Sequence, residues 1–398
     1  MIILESNMIK MINPTEAIAI IKENIFFSKI VSIPLENCMG YQLAEDLFAD
    51  RDFPPFHRAM MDGIAVQNLS TDSWEIEQTV FAGQPQATLL NPEACIQIMT
   101  GAPLPIACRS IIPVEEIEIQ SIENKRIAKF KATTITDGQF IHQRGADIKK
   151  DQLLIAKNTT IGTIEIALAA SIGKTHLQVV ERPTIALIST GDELVQVNQI
   201  PLSHQIRSSN IPMLWATLKS KGFICNTFHI NDSKEKLKED IAEILQNHNY
   251  IILSGGVSVG QKDFIPEVLN ELGFTCYFHK IAQKPGKPMW FGTRAVDQKT
   301  IFALPGNPIS TLICFYNYFL PSILYKENTH GIAEITNIKP ANAGLDLWLP
   351  AKWLIPFQQA EILPNNGSGD MVGWKDADII IWQKAGDNSV YLPYVQLI

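Results

Sequence analysis

The sequence predicts an α/β multidomain protein that combines a parallel-sheet domain, an inserted β-rich domain and a small C-terminal β-barrel. Three observations support this fold class. Strands and helices alternate after Pro183, short strands separated by Gly/Pro turns run from Trp74 to Val114, and the periodicity after Gly331 is again short and β-like. We expect four regions: a connecting subdomain over residues 1–48 and 141–180, the inserted subdomain over 49–140, the α/β domain over 181–328 and the C-terminal β domain over 329–398.

The connecting subdomain is predicted to begin with a helix capped by Asn13. Pro14 fits the first helical position, Glu16 fits the carboxylate of a capping box, and apolar residues then recur at helical spacing. The same kind of pattern predicts helical structure over residues 41–47 and a helix over 163–172, which a glycine ends.

Residues 51–63 are predicted to form an irregular loop, because they contain prolines, a glycine and charges of both signs. Functional residues are often found in such loops. Taken alone, Asp62-Gly63 is also an ordinary turn signal. In the same way, the hydroxyl of Thr100 could donate to a phosphate or simply close a local turn.

The α/β domain is predicted to contain a parallel sheet, because alternating strands and helices require right-handed crossovers. The predicted strands cover residues 185–188, 224–229, 251–253 and 301–304, and the predicted helices cover 211–221, 236–246 and 309–320. Loops of opposite charge, at Asp192-Glu193 and at Lys284 and Lys287, would then lie along one sheet edge. They could form a binding site or no more than a surface ion network.

Residues 250–311 are predicted to carry the principal site. They contain two of the short apolar strands, each followed within two residues by glycine, and ligands of open α/β sheets bind at such strand ends. Lys284 and Lys287 lie three residues apart on a loop that prolines stiffen. Asn307 could cap the next helix, with Pro308 at its first position, which would suit a polyanion. Each feature alone could be an ordinary Gly/Pro turn.

Composition and motif spacing exclude several classes of function. The formal net charge of −8 gives no global basic field, so nucleic acid is not an expected partner. The six cysteines are scattered without a CxxC pair, which favours buried free thiols in a reducing compartment over a zinc site. The glycine-rich loops match neither a Walker A loop nor GxGxxG, so a nucleotide-cofactor oxidoreductase is not expected. We expect no signal peptide and no membrane span, and the cytoplasm is the expected location.

Seven short motifs occur along the chain in a defined order. They are Met61-Asp62-Gly63, Met99-Thr100-Gly101-Ala102-Pro103, Arg144-Gly145-Ala146-Asp147, Ser189-Thr190-Gly191-Asp192-Glu193-Leu194, Ser254-Gly255-Gly256-Val257-Ser258-Val259-Gly260, Lys284-Pro285-Gly286-Lys287-Pro288 and Leu304-Pro305-Gly306-Asn307-Pro308. Together they strongly resemble the molybdopterin molybdenumtransferase family, the MoeA family that includes the gephyrin E domain. The resemblance runs from about residue 10 to the C-terminus.

The resemblance implies an enzyme of molybdenum cofactor synthesis. Members of this family take adenylylated molybdopterin and molybdate as substrates, cleave the adenylate, release AMP and leave molybdenum on the dithiolene. They are elongated homodimers of four subdomains, and the site lies between the molybdopterin-binding domain of one chain and the inserted domain of the other. For this chain, the resemblance implies that the α/β domain binds molybdopterin and that Mg²⁺ is the cofactor. The molybdopterin adenylylating enzyme is a candidate partner.

The resemblance also suggests which residues would act on the adenylate. Glu193 and Asp263 match family carboxylates and are the candidate Mg²⁺ ligands, since Mg²⁺ takes a small number of oxygen ligands. Asp62 and Thr100 match the inserted domain and would enter the partner's cleft, where they would position water or the phosphate.

Other matched residues are candidates for binding the substrates. Lys284 and Lys287 would supply charge for molybdate or the terminal phosphate, and Ser310 would donate to the oxyanion. The remaining candidates are family-matched glycines, hydroxyls, carboxylates and a proline: Gly255, Gly256 and Ser258, which would allow the backbone to approach the pterin phosphate, and Asp147, Asp232 and Pro305.

The chain departs from the family pattern in two places. The family commonly has an aspartate, a small residue and a tyrosine around the Met-Asp-Gly motif, where this chain has His57, Met60 and Ile64. The family's C-terminal domain usually contributes an arginine toward molybdate, and the C-terminal domain here contains no arginine. Lys352 or Ser368 could take its place.

Two alternative functions remain open on the sequence. A binding or scaffold protein could use the same fold to hold molybdopterin or a partner without catalysis, although the carboxylates of Asp62, Glu193 and Asp263 favour an enzyme. The related adenylylating activity is a further alternative. The inserted and C-terminal domains argue against it, because adenylylating enzymes are typically a single α/β domain.

Overall fold

The computed structural model describes residues 11–26, 29–131, 134–257, 263–324, 331–354 and 359–397. These residues form two compact units: Ile30–Val179 is one, and the described residues on either side of it form the other. In the described ranges, no helix combines the length and apolarity needed to cross a membrane. The division into four subdomains stays a prediction.

The first helix, α1 (Pro14–Asn24), begins at the predicted residue. The backbone N–H of Glu16 donates to Asn13 Oδ1 at 2.9 Å, and the backbone N–H of Asn13 donates to Glu16 Oε2 at 3.0 Å. This reciprocal pair is a complete capping box. Ala17 and Ile21 are buried on the inner face of the helix, so the apolar spacing in the sequence marks the face that packs on the core.

The Ile30–Val179 unit is mostly β. Its elements are β1 (Ile30–Pro34), β2 (Leu47–Phe48), β3 (Arg58–Ala59), β4 (Gly63–Val66), β5 (Ser73–Val80), β6 (Ala94–Ile98), β7 (Ser110–Pro113), β8 (Ile117–Ile122), β9 (Lys125–Phe130), β10 (Ile141–His142), β11 (Leu153–Ile155), α2 (Thr163–Ser171) and β12 (His176–Val180). Six of these strands form one sheet in the order β7-β4-β6-β5-β9-β8, and β1-β12, β10-β3 and β11-β2 form two-stranded pairs.

The helical structure predicted over residues 41–47 is wrong. Gln42 and Leu43 instead form isolated bridges with Thr160 and Val179, and the strand β2 begins at Leu47. Leu43 is fully buried in the core of this unit. Pairing and burial against distant segments therefore override the local helical pattern.

The second unit continues with the α/β domain and ends in the barrel. After α1, its elements are β13 (Ile185–Thr190), β14 (Leu194–Val195), β15 (Ile206–Arg207), α3 (Asn210–Ser220), β16 (Cys225–Ile230), α4 (Lys234–Asn247), β17 (Tyr250–Ser254), α5 (Ile265–Glu271), β18 (Thr275–Lys280), β19 (Gln283–Lys284), β20 (Pro288–Arg294), β21 (Lys299–Leu304), α6 (Pro308–Cys314), a π-helical turn (Phe315–Phe319), α7 (Leu320–Leu324), β22 (Gly331–Ile335), β23 (Asp346–Trp353), β24 (Gln359–Ile362), β25 (Ile379–Gln383) and β26 (Tyr391–Gln396).

The main sheet of this unit has the strand order β16-β13-β17-β21-β20-β18. The strands β16, β13, β17 and β21 are parallel, as predicted, and β20 and β18 extend the sheet in antiparallel pairing. Every residue of β13 and β17 is buried. Burial on both faces explains why these strands are continuous apolar runs in the sequence.

Helices cover both faces of this sheet. Because side chains alternate along a strand, Leu187 and Ile252 contribute to one core, which also contains residues of α1, α3 and α6. Their neighbours Ile188 and Ile251 contribute to the opposite core, with residues of α4 and α5. The α/β domain is therefore a three-layer structure.

The C-terminal strands form a closed five-stranded barrel. Its strands follow the order β23-β24-β22-β26-β25, and the barrel closes because β25 also pairs with β23. Trp348, Trp374 and Trp382 belong to the same core as α1, α3 and α6, and the rings of Trp348 and Trp382 stack with their centroids 5.1 Å apart. The α/β multidomain fold with a β-rich region and a C-terminal barrel is confirmed.

The cysteines are free thiols, as predicted. Four are buried and two are half-buried. Burial raises the pKa of Cys95 and that of Cys108 to about 12. Both thiols are therefore protonated at neutral pH, which suits packing and not nucleophilic chemistry.

The buried centre of the sheet yields a stability prediction. Leu187→Ala should lower the free energy of unfolding by about 2–5 kcal/mol, because it leaves a cavity between β13 and the helices. Val296→Ala is the control, since Val296 is 89% exposed, and it should change stability by less than about 0.5 kcal/mol. Urea unfolding followed by circular dichroism measures both; equal midpoints for the two variants would contradict the assigned core.

Candidate active site

A cavity of about 870 Å³ lies at the carboxyl ends of β13, β17 and β21. The lysine loop (residues 284–288) and the C-terminal barrel complete its wall. Most of the predicted site residues line it: Glu193, Asp232, Gly255, Gly256, Asp263, Lys284, Lys287, Pro305 and Ser310. Asp62, Thr100 and Asp147 belong to the other unit, and Ser258 lies outside the described residues.

Asn210, at the start of α3, connects the loops at the sheet edge. Its Nδ2 faces three acceptors: the hydroxyl of Ser254 at 2.9 Å, the carbonyl of Gly306 at 2.7 Å and the hydroxyl of Thr311 at 3.1 Å. The hydroxyl of Thr311 in turn donates to the carbonyl of Pro305 at 2.6 Å. These bonds hold the end of β17 and the Pro-Gly-Asn-Pro turn in one arrangement, so the floor of the cavity is well defined.

Glycine is required where β17 ends. Gly255 has φ +109°, and a Cβ atom at this position would lie 2.7 Å from the carbonyl oxygen of Thr190. A side chain therefore cannot be accommodated, and the backbone remains open to the cavity. The hydroxyl of Thr190 and the Oδ1 atom of Asn210 are buried, and neither has a hydrogen-bond partner among the described residues. Such atoms suit a ligand that brings its own hydrogen-bonding groups.

The charged groups of the cavity are accessible. Glu193, Lys284 and Lys287 are exposed. In the described part of the chain, no ion pair joins either lysine to a carboxylate, so the surface ion network considered above is not supported. Two ammonium groups that are not neutralised by the protein favour the binding of an anion.

The carboxylates of the cavity can be compared with the ligands that a magnesium ion prefers. Glu193 and Asp263 both line the cavity, and the described residues contain no group of three or more His, Cys, Asp and Glu side chains that could hold a metal. Mg²⁺ is commonly held by one or two carboxylates together with water and substrate phosphates. Two carboxylates in a cavity that also carries lysines fit that mode of binding, and they do not fit a closed structural metal site.

The Ser368 turn of the barrel contacts the sheet edge directly. Asn307 Nδ2 donates to Ser368 Oγ at 2.8 Å, and the backbone N–H of Ile309 donates to the carbonyl of Ser368 at 3.0 Å. Asn307 does occupy the N-cap position of α6, but its side chain makes no capping hydrogen bond. The predicted positions of Asn307 and Pro308 at the start of α6 are confirmed. The backbone N–H of Ile309, in the first turn, donates to the carbonyl of Ser368 and not to the side chain of Asn307.

Asp370 organises the same turn. The backbone N–H groups of Gly373 and Asn366 donate to its carboxylate at 3.0 and 2.8 Å, and they lower the pKa of Asp370 below its usual value. Ser368 lines the cavity, as does Lys339, whereas Lys352 is not among the lining residues. Lys339 is thus a cationic residue of the C-terminal domain at the cavity, and Ser368 is there too; the role suggested for Lys352 stays a prediction.

Comparison with known proteins covers most of the chain. The family model for the MoeA N-terminal region (domain I and II) matches residues 12–173, and the model for a probable molybdopterin binding domain matches residues 186–325. A molybdopterin molybdenumtransferase of Synechocystis sp. is 36% identical over 87% of this chain and 89% of its own length.

The chain belongs to the MoeA family.

Further relatives agree with this assignment. A molybdopterin molybdenumtransferase of Staphylococcus epidermidis is 30% identical over 78% of this chain and 75% of its own length. The crystal structure of a molybdopterin biosynthesis MoeA protein from Pyrococcus horikoshii superposes with a TM-score of 0.76 at 26% identity, and covers 98% of this chain and 99% of that one. The MoeA likeness therefore extends over the whole fold.

The MoeA-family residues Asp62 and Thr100 contact each other in the Ile30–Val179 unit. The backbone N–H and the hydroxyl of Thr100 both donate to Asp62 Oδ1, at 2.7 Å each. The backbone N–H has the larger effect and the hydroxyl the next, and together they lower the pKa of the exposed Asp62 carboxyl. The lowered pKa keeps the carboxylate ionised, and among the described residues the hydrogen bonds it accepts are at Oδ1.

Asp147 forms a different contact in the same unit. Its Oδ1 lies 2.9 Å from His142 Nε2, and the guanidinium of Arg58 faces His142 Nδ1 at 3.1 Å. Since an arginine can only donate, Nδ1 accepts and Nε2 carries the proton that is donated to Asp147. The departure at His57 also has a structural role, because His57 Nδ1 accepts from the backbone N–H of Arg144 at 3.1 Å.

Some cavity residues of this MoeA-family chain were missed by the sequence analysis. Asn210 and Trp374 line the cavity, and neither lies in one of the seven motifs. A serine pair before Asn210 suggests the start of a helix. The three acceptors that Asn210 faces come from distant segments, so its role is visible only in the folded chain.

The contact between Thr100 and Asp62 yields a prediction about titration. Thr100→Val removes the hydroxyl donor and keeps the backbone donor, so the pKa of Asp62 should rise part of the way toward its ordinary value of 3.8. Because the folded-state pKa is lowered, the contact stabilises the folded chain above that ordinary value, and the contribution is lost as the pH falls through the folded-state pKa.

Carboxyl ¹³C chemical shifts in a pH titration measure this change. Thr159→Val is the matched control, because Thr159 donates to the carbonyl of Ala156 and not to a carboxylate. An Asp62 pKa that is identical in wild type and Thr100→Val would show that the hydroxyl does not act on Asp62.

Proposed function

We propose that this chain catalyses the last step of molybdenum insertion: it takes molybdate and adenylylated molybdopterin, hydrolyses the adenylate, releases AMP and leaves molybdenum on the dithiolene. The observation that carries the proposal is the single cavity that brings Lys284 and Lys287 together with Glu193 and Asp263. Curated relatives of this chain bear the name molybdopterin molybdenumtransferase. The proposed location in the cytoplasm and the adenylylating enzyme as a partner stay predictions.

The lysine loop is the proposed anion site. Molybdate and the terminal phosphate of molybdopterin are both tetrahedral oxyanions, and an ammonium group attracts either one. The hydroxyl of Ser310, in the first turn of α6, lines the same cavity and would donate a hydrogen bond to the anion. The open backbone at Gly255 and Gly256 would accept close approach by the pterin phosphate.

The carboxylates are the proposed metal site. Glu193 and Asp263 would hold Mg²⁺, which when bound would neutralise charge on the adenylate phosphates and favour attack by water. In the overall reaction water adds to the pterin phosphorus of the phosphoanhydride, the bridging P–O bond breaks, and AMP departs with the electron pair of that bond. The two dithiolene sulfurs bond to molybdenum, and one molybdate oxygen leaves as water with the two thiol protons, so the oxidation state of molybdenum does not change. The role of the lysines is to hold the anions in place during this exchange.

Asp62 and Thr100 are proposed to act on the cavity of a second copy of the chain. What supports this is the family resemblance and the exposed Asp62 carboxylate, which Thr100 holds ionised and oriented. Such a carboxylate would accept a hydrogen bond from the attacking water and so position it. Dimerisation would then be required for activity and not only for stability.

Substituting the carboxylates of Asp62 and Glu193 tests the proposed release of AMP. Asp62→Asn and Glu193→Gln should each lower the rate of molybdate-dependent AMP release roughly 100-fold or more, because each removes a charged group that acts on the reacting phosphate. Glu243→Gln is the control, because Glu243 is exposed on α4 and does not line the cavity. The assay is chromatographic detection of AMP from adenylylated molybdopterin, molybdate and Mg²⁺.

Mixing the two inactive variants tests the shared site. If Asp62 serves the partner's cavity, a mixture of Asp62→Asn and Glu193→Gln chains should regain up to about a quarter of wild-type activity, since one of the two sites in a mixed dimer is intact. A monomeric, fully active wild type would refute the shared site. A folded wild type that binds the pterin and releases no AMP would favour the scaffold alternative.

Removing divalent metal should stop AMP release without unfolding the chain. Treatment with EDTA should lower the rate to the level of Glu193→Gln, and added Mg²⁺ should restore it, because the carboxylates cannot neutralise the phosphates themselves. Circular dichroism should be unchanged, since the described residues hold no closed structural metal site. Full activity after chelation would rule out the metal role of Glu193 and Asp263.

A further inference from the structure

The side chain of Gln283 lies directly beneath the lysine loop. It is 1% exposed. Its Nε2 donates to the carbonyl of Gly286 at 2.9 Å, and its Oε1 accepts from Trp348 Nε1 at 2.8 Å and from the hydroxyl of Tyr318. Both ends of this buried amide are therefore occupied by protein groups.

The three partners come from three separate parts of the fold. Gly286 is the centre of the lysine loop, Tyr318 lies in the π-helical turn after α6, and Trp348 lies on β23 of the barrel. Tyr318 and Trp348 are themselves almost wholly buried. Gln283 thus connects the loop to a helix and to the barrel through buried hydrogen bonds.

The loop has little room to move at this point. Gly286 has φ +91°, and a Cβ atom there would lie 2.8 Å from Gln283 Nε2 and 2.9 Å from Cys314 Sγ. The backbone of Gly286 therefore rests on the amide of Gln283 and on α6. Lys284 and Lys287 lie on either side of this contact, and both are exposed.

The geometry determines where the two ammonium groups can reach. A lysine side chain has a long, flexible stem, so the backbone position sets the volume that its charge explores. Replacing Gln283 by an apolar residue would remove the partner of the Tyr318 hydroxyl and of the Trp348 indole N–H. It would leave the carbonyl of Gly286 with the Cys314 thiol at 3.5 Å, a weak donor. A buried polar group that loses its hydrogen bond destabilises the fold. The lysine loop can shift to expose its carbonyl group to water, so we expect the loop to move.

We propose that Gln283 is a positioning residue for the oxyanion site: by holding the carbonyl of Gly286, it sets the spacing of Lys284 and Lys287 and thereby the affinity for a tetrahedral oxyanion. The identity of the anion rests on the proposed function. It is either free molybdate or the pterin phosphate of the adenylylated substrate, both of which are tetrahedral oxyanions.

The first test measures the loop itself, in the full chain without ligands. Gln283→Met removes both hydrogen-bonding functions at similar volume. It should speed amide hydrogen exchange at Ile281 roughly tenfold, because the N–H of Ile281 donates to the carbonyl of Lys287 in the loop at 2.9 Å. Gln283→Glu should do the same, because it keeps an acceptor for Tyr318 and Trp348 but puts an oxygen opposite the carbonyl of Gly286. Leu218→Ala is the control, since Leu218 is fully buried on α3 and should lower stability without changing exchange at Ile281.

The second test measures anion binding. In Gln283→Met, the KM for one oxyanion-bearing substrate should rise about tenfold with a smaller change in kcat, because binding in the ground state depends on the lysine positions. A rise for molybdate identifies molybdate as the anion, and a rise for adenylylated molybdopterin identifies the phosphate. Calorimetry with molybdate alone, and with inorganic phosphate alone, gives the same comparison without turnover.

The outcomes separate this proposal from the proposed function. Unchanged exchange at Ile281 in folded Gln283→Met overturns the positioning role. Faster exchange with unchanged KM values and unchanged binding of both anions overturns it too. If wild type releases no AMP, the transferase proposal fails, and the exchange and calorimetry results still decide whether Gln283 positions the lysines.

Discussion

The parallel pairing of β13, β17 and β21 is the constraint on which the cavity depends. In this register Ser189 lies opposite Ser254, and Ser254 lies opposite Leu304. The three strands therefore end at the same level, and the loops that follow them begin side by side. A slip of one residue would exchange the side chains that face the two cores, which are packed against different helices. The register that fits both cores therefore also aligns the loops that carry Glu193, Gly255 and Pro305.

The barrel supplies the second wall, and polar contacts fix its position. Ser368 bonds to both Asn307 and Ile309 at the start of α6, while β19 extends the barrel sheet from the residues that enter the lysine loop. The lysine loop is thus attached at its base to the barrel and packed at its centre against α6. Both the α/β domain and the barrel therefore position the two lysines of this loop.

Most of the fold could be predicted from the sequence, because apolar spacing records which faces are buried. The parallel strands, the helices α1, α3 and α4 and the β strands of the C-terminal domain follow from such patterns, whereas the closure of the barrel depends on the pairing of β25 with β23. The segment 41–47 could not be predicted, since Leu43 pairs with Val179, far along the chain. Asn307 shows the same limit at a single residue: the capping rule identified its position, but a serine 61 residues away takes its side chain.

The candidate site was predicted less completely than the fold. The motifs name Glu193, Lys284 and Lys287, Asp263 follows the glycine-rich motif, and spacing alone suggests that they meet at one sheet edge. Sequence cannot show which polar atoms lack partners, such as the hydroxyl of Thr190, because that depends on packing from all sides. It also cannot find Asn210, whose partners lie 44, 96 and 101 residues away.

The shared core of the α/β domain and the barrel limits how such a chain can be altered by recombination. Trp348, Trp374 and Trp382 pack into the same cluster as residues of α1, α3 and α6. A barrel transplanted from a distant relative would bring side chains shaped for a different set of helices, and the hybrid would pack poorly at its centre. Replacing the barrel during evolution would therefore require matching substitutions in the barrel and in the helices that it contacts, so we expect the two parts to evolve together.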